Sequence, residues 1–93
     1  MPFTNTVQID HDYGSIDALR YLTPGGSPIS GAQVRIYRKS DYDARNLGTP
    51  VAFTMTKADG RWQDAALVEP GFTYTIRFEL PNYYGPDTRE VIA

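Results

Sequence analysis

Ninety-three residues suit a single domain, and the absence of cysteine excludes disulfide staples, zinc–thiolate sites and a cysteine nucleophile. Nine basic against eleven acidic residues leave a formal charge of −2, which argues against a nucleic-acid partner, since phosphate contacts need a dominant basic face. No apolar run approaches membrane-spanning length, so no membrane role is expected.

Residues 1–10, MPFTNTVQID, carry neither a basic n-region nor an apolar h-region, so we expect a complete, soluble chain made in the cytoplasm without a Sec signal. Val7 and Ile9 alternate with Thr6 and Gln8, as in a short strand or an arm. Residues 1–14 are therefore read as an N-terminal arm or first strand, and residues 15–93 as one domain. The run Asp10-His11-Asp12-Tyr13-Gly14 reads as a turn. Residues 15–22 read as a strand, with Ile16, Ala18 and Leu22 on one face and Leu19 and Tyr21 on the other.

Residues 23–32, TPGGSPISGA, are turn chemistry. Alternation resumes over 33–39, where Val34 and Ile36 point inward and Gln33, Arg35 and Tyr37 outward. Residues 40–49 are polar and rich in breakers, and are expected to form the longest loop. Val51, Phe53 and Met55 then alternate with Ala52, Thr54 and Thr56, which predicts another strand. Asp59-Gly60 is a hairpin signal, because tight turns demand positive φ, and Trp62 on the return strand is a core candidate.

The clearest signal lies over residues 72–80. Phe72, Tyr74, Ile76, Phe78 and Leu80 share one face, while Thr73, Thr75, Arg77 and Glu79 share the other, as in a strand buried on one side. Residues 82–88 read as a loop bearing adjacent Tyr83 and Tyr84, and 89–93 as a final short strand. Nowhere does a 3.6-residue apolar period persist for three turns, so almost no helix is expected. Short strands punctuated by turns predict an all-β fold, an antiparallel β-sandwich of about seven short strands.

Two segments, GGSPISGAQVRIY at 25–37 and TKADGRWQDAALVEPGFTYTIRF at 56–78, together resemble the carboxypeptidase regulatory-like, or transthyretin-like, β-sandwich, an Ig-like architecture. The resemblance implies an accessory or adhesive module. Small free-standing sequences of this type also resemble accessory proteins of tailed-phage particles. One branch of the transthyretin-like family hydrolyses a ureide, using several histidines and a Tyr-Arg-Gly-Ser-type motif. This chain has one histidine and lacks that motif, so the resemblance points away from the enzyme branch.

Candidate sites are few. Asp10-His11-Asp12 joins an imidazole to carboxylates, yet neighbours in a turn point apart and no nucleophile accompanies them. Asp41-x-Asp43-x-x-Asn46 loosely resembles a calcium loop but lacks its glycine and terminal glutamate, so it reads as a polar loop. Arg35, Arg38, Lys39 and Arg45 form a local basic cluster diluted by Asp41 and Asp43, suited to pairing on a wet face. Tyr42, Tyr83 and Tyr84 lie on predicted loops, where tyrosine suits a protein contact or stacking on a sugar ring. The expectation is a non-enzymatic module without cofactor, acting through surface contacts in a larger assembly such as a virion, homo-oligomeric or with another protein. Val7 and Ile9 are the expected docking strand. A carbohydrate-binding module using the loop tyrosines is the alternative.

Overall fold

The computed structural model describes residues 6–11 and 19–93. Among the described residues, six strands and one helical turn follow in order: β1 (Val7–Ile9), β2 (Gln33–Arg38), α1 (Lys39–Asp43), β3 (Ala52–Met55), β4 (Ala66–Val68), β5 (Thr73–Leu80) and β6 (Tyr84–Ile92). The aromatic-threonine ladder becomes β5, an interior strand of a four-stranded antiparallel sheet ordered β3-β2-β5-β6. A second sheet pairs β1 with β4, antiparallel, with Val7 opposite Val68 and Ile9 opposite Ala66. The chain is thus an all-β sandwich, as its sequence predicts.

The core lies between the sheets. Val34 and Ile36 of β2 and Tyr74, Ile76 and Phe78 of β5 face Ile9, Ala66 and Val68 of the small sheet in one buried cluster. Trp62 closes its side, lying edge-on to Phe78 at 6.1 Å between ring centroids, while Tyr21 stacks on the same ring at 4.9 Å. Both geometries suit aromatic quadrupoles. Trp62 Nε1 donates to the Leu19 carbonyl at 3.0 Å, so its buried donor is satisfied.

The hairpin before Trp62 forms as its Asp-Gly signal predicts. The amide of Gly60 donates to the Lys57 carbonyl, and the amide of Lys57 to the Arg61 carbonyl. Gly60 has φ +81°, and a Cβ there would stand 2.6 Å from the Tyr21 carbonyl oxygen, so glycine is needed for both conformation and space. The Arg61 amide donates to Asp59 Oδ1 at 3.0 Å and holds that carboxyl below its ordinary range.

Several expectations are corrected. In β3, Ala52 and Thr54 face inward, and Phe53 is 51% exposed. The register explains this: Thr54 pairs with Val34 and Ala52 with Ile36, so they share the core-facing side of the pleat. Phe72 is not core. It precedes the first paired residue of β5 and lies at the rim, 41% exposed, with the Arg38 guanidinium 4.0 Å above its ring. Arg38 also meets Glu69 at 3.2 Å.

Tyr37 faces the outer side of its sheet, as alternation requires, yet is buried. The cause is the segment expected to be a plain loop, which begins with α1 and folds back over the sheet. Tyr42 packs against Tyr37 at 5.8 Å, and the Tyr37 hydroxyl donates to the Leu47 carbonyl at 3.2 Å. Thr75, opposite Tyr37, is buried as well. Finally, residues 84–92 form one nine-residue strand where a loop and a short strand were expected. Of the strand predicted over 15–22, residues 15–18 lie outside the described residues; in the remainder Leu22 makes an isolated bridge to Pro28.

Candidate interaction surface

The four-stranded sheet ends on β3 and β6, and these ends differ. β3 is flanked: the Gln63 amide donates to the Met55 carbonyl, and the Asp64 amide to Thr54 Oγ1 at 3.1 Å. Among the described residues β6 pairs, within the sheets, with β5 and with no other strand. Residues 84–90 are all exposed.

The groups on that edge follow from the ladder. The Ala93 amide donates to the Phe72 carbonyl at 3.1 Å, which fixes the alternation along β6 in register. Val91, Arg89 and Asp87 therefore direct their backbone groups at β5. Ile92, Glu90, Thr88 and Pro86 direct theirs away from it. Pro86, which has no N–H, sits where that donor would face outward, as edge strands permit. Arg89 Nη1 donates to the Thr88 carbonyl at 2.8 Å, so a side chain covers one outward acceptor of β6.

The start of β6 carries the exposed tyrosines. The Tyr83 amide donates to the Leu80 carbonyl in the β5–β6 turn, and Tyr83 is 78% exposed against 44% for Tyr84. Gly85 holds φ +86°, and a Cβ there would lie 2.6 Å from the Phe78 carbonyl oxygen, so the strand can hug β5 at this point only through glycine. Asp87 is anchored on the core side: the buried Tyr21 hydroxyl donates to its Oδ2 at 2.7 Å. Burial, reinforced by that hydrogen bond and the Asp87 charge, pushes the Tyr21 phenol well above its ordinary value.

Other candidates are placed elsewhere. Tyr42 is half-buried on Tyr37, whose partner on β5 is Thr75, whereas Tyr84 pairs with Leu80. Five residues of strand, about 16 Å, separate those positions, so the three tyrosines form no single platform. Val7 and Ile9 are not a free docking arm. β1 is spent on β4, and Ile9 is fully buried because β4 needs a partner and the core needs that side chain. His11 Nδ1 accepts the Trp62 amide at 3.2 Å, a structural role; Asp12 lies outside the described residues.

Helix formation also separates the supposed calcium ligands. Asp41 and Asp43 are two residues apart in α1, roughly 200° around its axis. Asp43 bonds Lys39 at 2.9 Å, and that hydrogen bond, with Glu90 nearby, holds the Lys39 ammonium above its ordinary value. Among the described residues no three acidic or histidine side chains converge as metal ligands. The basic cluster disperses too: Arg35 lies over Phe53 at 5.3 Å on the outer face, Arg38 at the rim, and Lys39 on α1.

Sequence reasoning missed the β6 edge. The alternation Thr88, Glu90, Ile92 against Asp87, Arg89, Val91 was its available signal, masked by the turn-like residues 82–86. No family model, no curated protein and no solved structure matches this chain.

Proposed function

We propose that this chain is a non-enzymatic interaction module, an accessory piece of a larger protein assembly, with a tailed-phage particle (capsid decoration or tail accessory) as its setting. The observation that carries the reading is the exposed stretch 84–90 of β6 with the exposed Tyr83 and Tyr84 at its head. An exposed strand of this kind offers side chains and backbone to a partner surface, and exposed tyrosine adds contact area at its end. Stable protein interfaces take about 800 Å² per partner, so single contacts of so small a module are weak, and repeated display on a symmetric particle compensates.

Thr88→Pro tests this. It removes an outward amide without touching the β5 ladder, so the fold should persist by circular dichroism. Incorporation of the variant into particles in the producing cells should fall to background. Normal incorporation of Thr88→Pro, and of Tyr83→Ala with Tyr84→Ala, would refute the proposal. The exposure of Tyr83 and Tyr84 also favours a second reading, a carbohydrate-binding module. A positive glycan array that depends on these tyrosines, from a protein found in no particle, would favour it.

A further inference from the structure

We infer that the outer face of the four-stranded sheet takes a carboxylate of a partner protein between Arg35 and Arg77. This deepens the reading just proposed by naming the chemistry of the partner, and rests on it for the setting. The register sets the two arginines directly opposite each other, Arg35 on β2 and Arg77 on β5. Phe53 of β3 and Thr88 of β6 extend the same row to either side. Residues in register share a face of the sheet, so these four side chains stand together. In the next row Tyr37 and Thr75 are buried. The arginine row is accessible: Phe53 and Thr88 are exposed, and both arginines are half-buried.

Like charges facing each other across two strands destabilise a sheet, and the chain does little to offset this pair. Arg35 Nη1 donates to Gln33 Oε1, a neutral acceptor, and its guanidinium lies 5.3 Å from the centre of the Phe53 ring. Arg77 meets a single carboxylate, Glu79 Oε1, at 3.5 Å, well beyond the roughly 2.8 Å of a charge-assisted hydrogen bond. Its Nε is buried without a hydrogen-bond partner, the one side-chain polar atom so placed among the described residues. An orphaned buried donor is costly and rare in folded chains. Two guanidiniums thus share one loosely held carboxylate, and the row is short of an acceptor.

That shortfall defines the ligand. A planar carboxylate has two oxygens and can accept from two guanidinium forks at once. It would bridge Arg35 and Arg77, and take the orphaned Nε once that guanidinium turns outward. The Phe53 ring beside it suits an apolar neighbour of the acid, and the Thr88 hydroxyl offers a further donor. A polyanion fits worse. Glu79 and Glu90 lie on the same face, opposite Gln33 and Thr75, and oppose a nucleic acid or sulfated glycan running across it. An acidic residue within an apolar segment of a partner protein is the occupant this charge pattern favours.

The test titrates isotope-labelled protein with the blocked peptide acetyl-Val-Glu-Val-amide and follows the arginine Nε–H resonances by NMR. Those of Arg35 and Arg77 should shift and saturate at millimolar peptide. With acetyl-Val-Gln-Val-amide the affinity should fall roughly tenfold or more, the loss of one charge-assisted contact. Arg77→Gln should abolish the shift at Arg35 and reduce particle incorporation to background. Its urea midpoint should be unchanged or raised, because the like-charge pair is gone; an arginine serving the fold alone would lower it on removal.

No shift with the glutamate peptide, equal affinity for both peptides, or a lowered midpoint for Arg77→Gln would overturn the inference. So would normal incorporation of Arg77→Gln where Thr88→Pro is excluded. Sulfate or glucuronate binding more tightly than the peptide would overturn the choice of a protein carboxylate. If the peptide fails to bind yet Thr88→Pro still blocks incorporation, the arginine site fails while the assembly role stands. If the peptide binds but both variants are incorporated normally, the site stands and the assembly role fails.

Discussion

Tyr21 shows how a single side chain can tie the core to the last strand. Its ring stacks on Phe78 while its hydroxyl holds Asp87 of β6. The folded state raises its pKa above the ordinary value of about 10, so the stabilisation is present in full below that pH. It is lost progressively as pH climbs above it, because the unfolded chain then sheds the phenolic proton more readily than the folded one. Urea midpoints measured from pH 7 to pH 11.5 should fall more steeply for the parent than for Tyr21→Phe. At neutral pH the phenylalanine variant should be less stable by about 1.5–3 kcal/mol, the range for a hydrogen bond to a charged group. Parallel pH profiles for the two proteins would remove Tyr21 as the cause. The aromatic part of this contact was accessible from sequence, since Tyr21 alternates into a strand pattern. Its partner was not, because Asp87 sits 66 residues away in a stretch that reads as loop.

At the scale of elements, the instructive case is β3. Its sequence offers two alternating sets, Val51, Phe53 and Met55 against Ala52, Thr54 and Thr56, and the alternation alone does not say which faces the core. The structure sends in the smaller set because a hydrogen-bond clamp outside the strand fixes the register. Thr56 is buried, its hydroxyl donating to the Ile29 carbonyl at 2.7 Å and accepting the Ala32 amide at 2.9 Å. With Thr56 inward, Thr54 and Ala52 must follow, since a one-residue slip would turn every side chain over. Thr56→Val keeps the shape but strands both backbone groups, and should cost about 1–3 kcal/mol in urea denaturation. Thr56→Ser keeps both bonds and should lose about 1 kcal/mol, chiefly one methyl group. Equal losses would mean that packing, and not the clamp, sets the register. β5 needed no such help, because its apolar set and its core face coincide for Tyr74, Ile76 and Phe78. β6 was illegible for the opposite reason: edge strands tolerate the glycine, proline and charge that elsewhere announce a loop.

For the whole molecule, the question is whether the two sheets are one cooperative unit. A two-stranded sheet is marginal alone in water, so β1 and β4 persist only by packing on the larger sheet. Ile9 is the residue through which β1 joins that core, and it is fully buried. Ile9→Ala should therefore cost about 2–5 kcal/mol, a large share of the 5–15 kcal/mol typical of such a domain. Because one apolar cluster spans both sheets, the variant should still unfold in a single step. Trp62 fluorescence and far-ultraviolet circular dichroism should give coincident urea transitions. Separate transitions, with the small sheet leaving before Trp62 changes environment, would show that the layers are only loosely joined. The same coupling decides which strand can meet a partner. A β1 built into the core can leave it only by giving up Ile9, whereas the exposed stretch 84–90 of β6 can take a contact without breaking any bond to β5.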